Sequence, residues 1–172
     1  MSRDRLEGDL AELHTASFGW ALGCCDGDHG EAEEVLQSTY LKVLDGKARF
    51  DGASSFKTWL FAVIRRTAAE RRRGRWRRAL ILGSWLGGRA EPQPAPDPER
   101  IACEGEASRR LRASLLALPS RQRELLHLVF YQDLSVEEAA AVVGVSVGSA
   151  RTHYHRAKRR LRRLLDRPGR GR

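Results

Sequence analysis

Apolar residues recur at helical spacing over most of the chain. Leu6, Leu10, Leu13 and Phe18, with Ala21 and Leu22, trace a first amphipathic helix. The turn residues of Cys24-Cys25-Asp26-Gly27-Asp28-His29-Gly30 interrupt it. A second helix begins near Glu31, with acidic residues in its first turn where the helix dipole favours them. Val35, Leu36, Tyr40, Leu41 and Leu44 form its apolar side, and Gly46 stops it. A loop, Arg49-Phe50-Asp51-Gly52-Ala53-Ser54-Ser55, leads into a third helix with Trp59, Leu60, Val63 and Ile64, which runs straight into arginines. No alternating run or hairpin dipeptide predicts a strand.

The later part of the chain is punctuated more sharply. Leu111, Leu115, Leu116 and Leu118 form one stripe, Pro119-Ser120 restarts the chain, and Leu125, Leu126, Leu128 and Val129 form the next. Ser135-Val136-Glu137-Glu138 has the capping-box pattern, with Ser135 as N-cap and Glu138 reaching back. The short helix it opens, through Ala139, Ala140 and Val143, ends at Gly144. Val145 anchors a turn, and Ser146 caps a last long, basic helix. Short helix, glycine turn and basic helix in that order make a helix-turn-helix. The fold class expected is all-α, with two small helical domains.

Between them lies Glu91-Pro92-Gln93-Pro94-Ala95-Pro96-Asp97-Pro98, where alternate prolines forbid helix and favour an extended spacer. The expected boundaries are a first domain over 1–78, a linker over 79–104, a second domain over 105–166 and a basic tail over 167–172. The net charge of +9 over 172 residues is divided unevenly: −5 over 1–60, +8 over 61–90, −3 over 91–105 and +9 over 106–172. Two separate basic blocks, each ending a compact segment, suggest two contacts on one polyanion. No apolar run approaches the roughly 20 residues of a membrane span, and the N-terminus leads into an amphipathic pattern rather than a signal-peptide core. Three cysteines, an odd number, make no disulfide framework, so the chain reads as a reduced cytosolic protein with no membrane insertion.

The last helix carries a readable surface. Arg151, Thr152, His155 and Arg156 share one face, whereas Ala150, Tyr154 and Ala157 suit packing on the preceding helix. A helix fits the major groove of B-DNA, where an arginine fork pairs with guanine O6 and N7. Arg159 to Arg163 suit phosphates or solvent. The first basic block, Arg65 to Arg78 with Trp76 interleaved, fits a phosphate-tracking stripe and a solubilising helix end equally well on composition alone.

These residues resemble a known family, the bacterial RNA polymerase sigma factors of the extracytoplasmic-function group, which keep only the second and fourth conserved regions. Glu31-Ala32-Glu33-Glu34-Val35-Leu36-Gln37-Ser38-Thr39-Tyr40-Leu41 is similar to the acidic stretch of region two. Phe50-Asp51-Gly52 and Ser55-Phe56-Lys57-Thr58-Trp59-Leu60 resemble its aromatic segment. Leu118-Pro119-Ser120-Arg121-Gln122-Arg123, then Ser146-Val147-Gly148-Ser149-Ala150-Arg151 and Arg156-Ala157, resemble region four.

The resemblance implies a division of labour. Glu33, Glu34, Gln37, Tyr40 and Leu41 would dock on the clamp helices of core RNA polymerase, whose flap would be a second contact. Ser54, Ser55, Phe56 and Lys57 would hold a base flipped from the minus-ten element, with Arg65, Arg66, Arg72 and Arg73 steadying the backbone. Ser149, Arg151, Thr152, His155 and Arg156 would read the minus-thirty-five element as duplex promoter DNA. An anti-sigma factor is the expected regulator. No catalytic residue, metal or cofactor is expected.

Three features depart from the family pattern. Arg66 stands where Asn is common, Ser149-Ala150 replaces Thr-Val, and the apolar extension from Trp76 to Trp85 has no assigned role. The rival within DNA binding is a stand-alone helix-turn-helix regulator, against which the region-two motifs argue. A metal-dependent hydrolase built on Cys24, Cys25 and His29 fits no common zinc spacing.

Overall fold

The computed structural model describes residues 3–86 and 105–166. Among them are eight helices and no strand. The chain divides into two compact units, residues 1–96 and 97–172. The proline-rich spacer, Cys103, the basic tail and the side chain of Trp85 lie outside the described residues.

The first unit is built from α1 (Arg3–Glu12), α2 (His14–Cys24), α3 (His29–Leu44) and α4 (Phe56–Leu86). The pattern predicts a single helix over the first stretch, but it bends at Leu13 (φ −89°, ψ 1°). The bend lets α1 lie on α3 while α2 packs against both α3 and α4. Asp28 caps α3, its carboxylate accepting the Glu31 N–H at 3.0 Å, so this helix starts slightly before Glu31. The Ser55 hydroxyl accepts the Thr58 N–H at 3.1 Å and opens α4.

Trp20, Val35, Leu60, Phe61 and Ile64 are completely enclosed where α2, α3 and α4 meet. The Trp20 ring stacks on Phe61, and its Nε1–H donates to the Phe61 carbonyl at 3.0 Å, satisfying a polar atom that burial would otherwise strand.

Helix α4 does not end at 78. It continues to Leu86, so the expected start of the linker at 79 falls inside a helix. The extension, Ala79-Leu80-Ile81-Leu82-Gly83-Ser84-Trp85-Leu86, is led by Ala and Leu, good helix formers, and Gly83 weakens it by only about 1 kcal/mol.

The second unit comprises α5 (Glu106–Leu116), α6 (Ser120–Phe130), α7 (Val136–Val143) and α8 (Val147–Asp166). Helices α6, α7 and α8 pack on one another, and α5 lies on α8. Both halves of the capping box are formed: Ser135 Oγ accepts the Glu138 N–H at 3.1 Å, and the Glu138 carboxylate accepts the Ser135 N–H at 2.9 Å. Gly144 ends α7 in the left-handed region at φ 71°, and the Ser146 hydroxyl accepts the Ser149 N–H at 3.2 Å to start α8.

A side chain at Gly144 would meet open space, so the penalty for adding one is conformational alone. Gly144→Ala is expected to destabilise the second unit by about 1–2 kcal/mol. Hydrogen exchange of the α7 and α8 amides measures it; unchanged protection would contradict a strained turn.

Candidate nucleic-acid interface

Helix α8 is amphipathic in the sense that matters for a groove reader. Ala150 and Ala157 are fully buried, small residues that let α8 sit close to the rest of its unit. Ser149, Arg151, Thr152, His155 and Arg156 are exposed together on the opposite side. The helix starts immediately after the Gly144 turn, so its first two turns present this face.

The polar contacts within it are specific. Arg151 Nη2 donates to Glu137 Oε1 at 2.7 Å, tying α8 to the first turn of α7. The Thr152 hydroxyl donates to the Gly148 carbonyl at 3.0 Å. Ser149 Oγ accepts from Ser146 Oγ at 2.9 Å. Farther along, His155, Lys158, Arg159, Arg162 and Arg163 line a basic cleft of about 370 Å³.

Next to this cleft, Leu111, Leu115, Leu126, Phe130, Leu161 and Leu165 line an apolar groove of about 510 Å³. Lys158 and Arg162 stand on its rim. The sequence stripes locate Leu111, Leu115 and Leu126 but not Leu161 and Leu165, and only the packing of α5 and α6 on α8 makes them a groove.

In the first unit the arginine block is divided by the turn of α4. Arg71 Nε donates to Glu31 at 3.0 Å and its Nη2 to Glu34 at 2.6 Å, and Arg75 also pairs with Glu31. The Glu31 side chain is only 9 % exposed, and its two cationic partners compensate the carboxylate there. Arg72 and Arg73 point elsewhere, to solvent, as do Arg66, Trp76 and Leu80. Arg65 is half-buried. The sequence places all these arginines in one block; the acidic start of α3, the preceding helix, selects which of them face inward.

The loop before α4 is shaped by its own side chains. Asp51 Oδ1 accepts the Ala53 N–H at 3.0 Å, and Gly52 takes φ 78°. Phe50, Phe56 and Trp59 form a half-buried aromatic trio with ring centroids 5.3–5.4 Å apart. Lys57 lies over the Phe61 ring at 5.6 Å.

The Ser55 hydroxyl is committed to capping α4 and donates to Thr58 Oγ1 at 2.8 Å, whereas Ser54 is exposed. Beside this loop Lys42, Lys47, Arg49, Trp59, Arg66 and Glu70 line a cavity of about 440 Å³. Lys47 and Arg49 escape the motif reading. The signal for them is a small basic cluster inside a segment that is otherwise net acidic.

On α3, Glu33, Glu34, Gln37, Tyr40 and Leu41 fall along one side of the helix. Leu41 is 54 % exposed, an apolar surface with nothing above it among the described residues. Tyr40 is half-buried, its hydroxyl 3.3 Å from His14 Nδ1, and Glu34 is engaged by Arg71.

Neither described cysteine, Cys24 or Cys25, lines these cavities. Burial first, and then the Glu31 carboxylate, push the Cys25 thiol up to about 12, so it stays protonated at neutral pH. Among the described residues no group of three or more His, Cys, Asp or Glu side chains is placed to hold a metal ion. Nor is any described helix long and apolar enough to cross a membrane.

Residues 14–78 match the family model for sigma-70 region 2, and residues 108–161 match that for sigma-70 region 4. The ECF RNA polymerase sigma factor SigF of Caulobacter vibrioides is 35 % identical over 159 residues, covering 92 % of this chain and 84 % of its own length. This chain is an ECF RNA polymerase sigma factor.

SigX of Bacillus subtilis, with the same family name, is 31 % identical over 144 residues, 81 % of this chain and 73 % of its own length. The fold is that of the sigma factor RpoE from Bartonella quintana, solved in complex with the anti-sigma factor NepR. It has a TM-score of 0.73 and 24 % identity, covering 95 % of this chain and 98 % of that one. As a sigma factor the chain has core RNA polymerase and promoter DNA as its partners.

Proposed function

We propose that this sigma factor directs initiation by gripping a promoter at two places, one as duplex and one as opened strand. The single observation that carries the reading is the exposed face of α8, with Arg151, Thr152, His155 and Arg156 set behind a glycine turn and an alanine-lined packing side. That face reads the minus-thirty-five element in the major groove, with Ser149 at its entrance.

The loop Ser54–Lys57 and the basic cavity beside it receive an unstacked base of the minus-ten element. Phe56 gives the loop its wall, while Arg65, Arg66, Arg72 and Arg73 meet the backbone phosphates. Stacking or pocketing one base returns about 1–3 kcal/mol, similar to the unpairing of one step, so melting requires the whole polymerase.

The side of α3 bearing Glu33, Gln37 and Leu41 docks on the clamp helices of core polymerase. Glu34, held by Arg71, and the half-buried Tyr40 complete that surface. The apolar groove of the second unit suits the flap. Residues 1–78 then act as region two, extended by the rest of α4, and 105–166 as region four, joined through the acidic spacer and followed by the basic tail. A cytoplasmic location follows from these partners. An anti-sigma factor regulates the chain, as NepR is found with the Bartonella neighbour. The region-two match speaks against a regulator that never engages polymerase.

Run-off transcription with core enzyme tests the reading. Arg151→Ala or Arg156→Ala is expected to lower promoter-specific transcript about tenfold, the equivalent of about 1.4 kcal/mol at the lower end of a lost base contact, with core association unchanged. Gln37→Ala combined with Leu41→Ala is expected to weaken core association instead. Equal loss of core binding in all of these variants would overturn the assigned division.

A further inference from the structure

Glu137 is the acidic residue nearest the reading face, and charge logic places it badly. It stands in the first turn of α7, exposed, on a surface proposed to approach a polyanion. A carboxylate there repels phosphate. A compensating role is visible in its contact: Oε1 accepts from Arg151 Nη2 at 2.7 Å, across fourteen residues of sequence and between two helices. Both side chains are more than half exposed, and pairs of that kind contribute little to stability. The pair therefore calls for a reason other than holding the fold.

We infer that Glu137 is a positioning residue for base readout, a carboxylate strut that fixes the Arg151 guanidinium so that its remaining donors meet one base pair of the duplex element. The inference rests on the proposed reading of α8. A guanidinium has five N–H donors in a rigid plane. Glu137 occupies one of the two on Nη2, which leaves the other Nη2 hydrogen and the rest of the fork for a guanine edge.

A free arginine at the surface samples many rotamers and loses that freedom on binding. A strutted one is already oriented, so less is lost when the base contact forms. Entry into the groove removes water and strengthens the carboxylate–guanidinium interaction at that moment. The arrangement also penalises error. When Arg151 turns to a phosphate or a wrong base, Glu137 is left unpaired against the DNA, which disfavours that alternative. The Arg151 hydrogen bond holds the Glu137 carboxyl below the usual carboxylate range, so the strut stays charged throughout the neutral range.

The test uses the full chain in holoenzyme with core RNA polymerase. A library of promoter fragments with a randomised upstream element is transcribed, and base preference is scored position by position. Glu137→Ala is expected to reduce discrimination at one base pair about three- to tenfold with the other positions unchanged. Glu137→Gln, which still accepts a hydrogen bond, retains part of it. Arg151→Ala removes discrimination at that same base pair, and the double variant matches Arg151→Ala alone.

The inference is overturned if Glu137→Ala raises transcription uniformly over the library, since the carboxylate then only repels phosphate. It is also overturned if the profile stays unchanged while Arg151→Ala alters it, since the pair is then a bystander. A flat response to Arg151→Ala instead overturns the parent reading of this residue. Circular dichroism of each variant separates these outcomes from misfolding.

Discussion

Trp20→Ala is expected to cost the first unit about 4 kcal/mol, a large share of the stability of any domain this small. Three losses coincide at this side chain. It is completely enclosed, so truncation opens a cavity the size of an indole between α2 and α4. The stacked contact with Phe61 disappears, and the Phe61 carbonyl loses a donor at 3.0 Å. All four tryptophans, Trp20, Trp59, Trp76 and Trp85, precede residue 97, so indole emission reports this unit without interference from the other. Urea unfolding followed by the emission of the remaining three measures the loss. A change under about 1 kcal/mol would mean that the helices close over the gap, and that Trp20 does not organise the core.

Acidification is expected to destabilise the second unit through His127. Burial pushes this imidazole down to about 4 from an ordinary 6.5. Its Nε2 faces the Gln132 amide nitrogen at 3.2 Å, an arrangement in which the neutral ring accepts a hydrogen bond and a protonated one does not.

Between the two values the unfolded chain binds more protons than the folded one. Stability is therefore fully present above about 6.5 and falls as pH drops through that window towards 4. The loss integrates to about 3 kcal/mol. Hydrogen-exchange protection of the α6 amides at pH 7.5, 5.5 and 4 reads it directly. His127→Phe, which cannot take up a proton, should flatten the profile, and an unaltered profile in that variant would shift the cause to another group.

The helical architecture and its punctuation were legible because they depend on local rules. The Ser135–Glu138 box, the Gly144 stop and the Ser146 cap are each decided within four residues, and each is formed. So is the burial of Ala150 and Ala157, since a period of 3.6 residues fixes which side of a helix a residue occupies. The bend at Leu13 was not legible: the apolar spacing is continuous across it, and only the competing demands of α3 and α4 separate the two segments.

The long reach of α4 was missed for the opposite reason. Helix propensity carries it past the arginines, where Trp76, Leu80 and Ile81 are exposed. At the sites, what escaped was pairing over distance. The Glu137–Arg151 contact joins positions fourteen apart, and the Arg71 contacts join positions about forty apart. No periodicity connects them. The family resemblance places Ser55 at the opened strand; that its hydroxyl also caps α4 emerges only from the geometry of the helix start.

The double grip of Glu31 bears on how many counterions leave the promoter when this subunit engages it. Eight arginines stand between Arg65 and Arg78, and a tally from composition would credit all of them to phosphate neutralisation. Arg71 and Arg75 are already neutralised from within the bundle, so at most six remain to displace cations from DNA. The ionic-strength sensitivity of the proposed minus-ten grip is therefore expected to be shallower than the raw basicity of the segment implies. The same clasp keys the rotation of α4 about its own axis, which gives the outward arginines a fixed azimuth for the proposed strand contact.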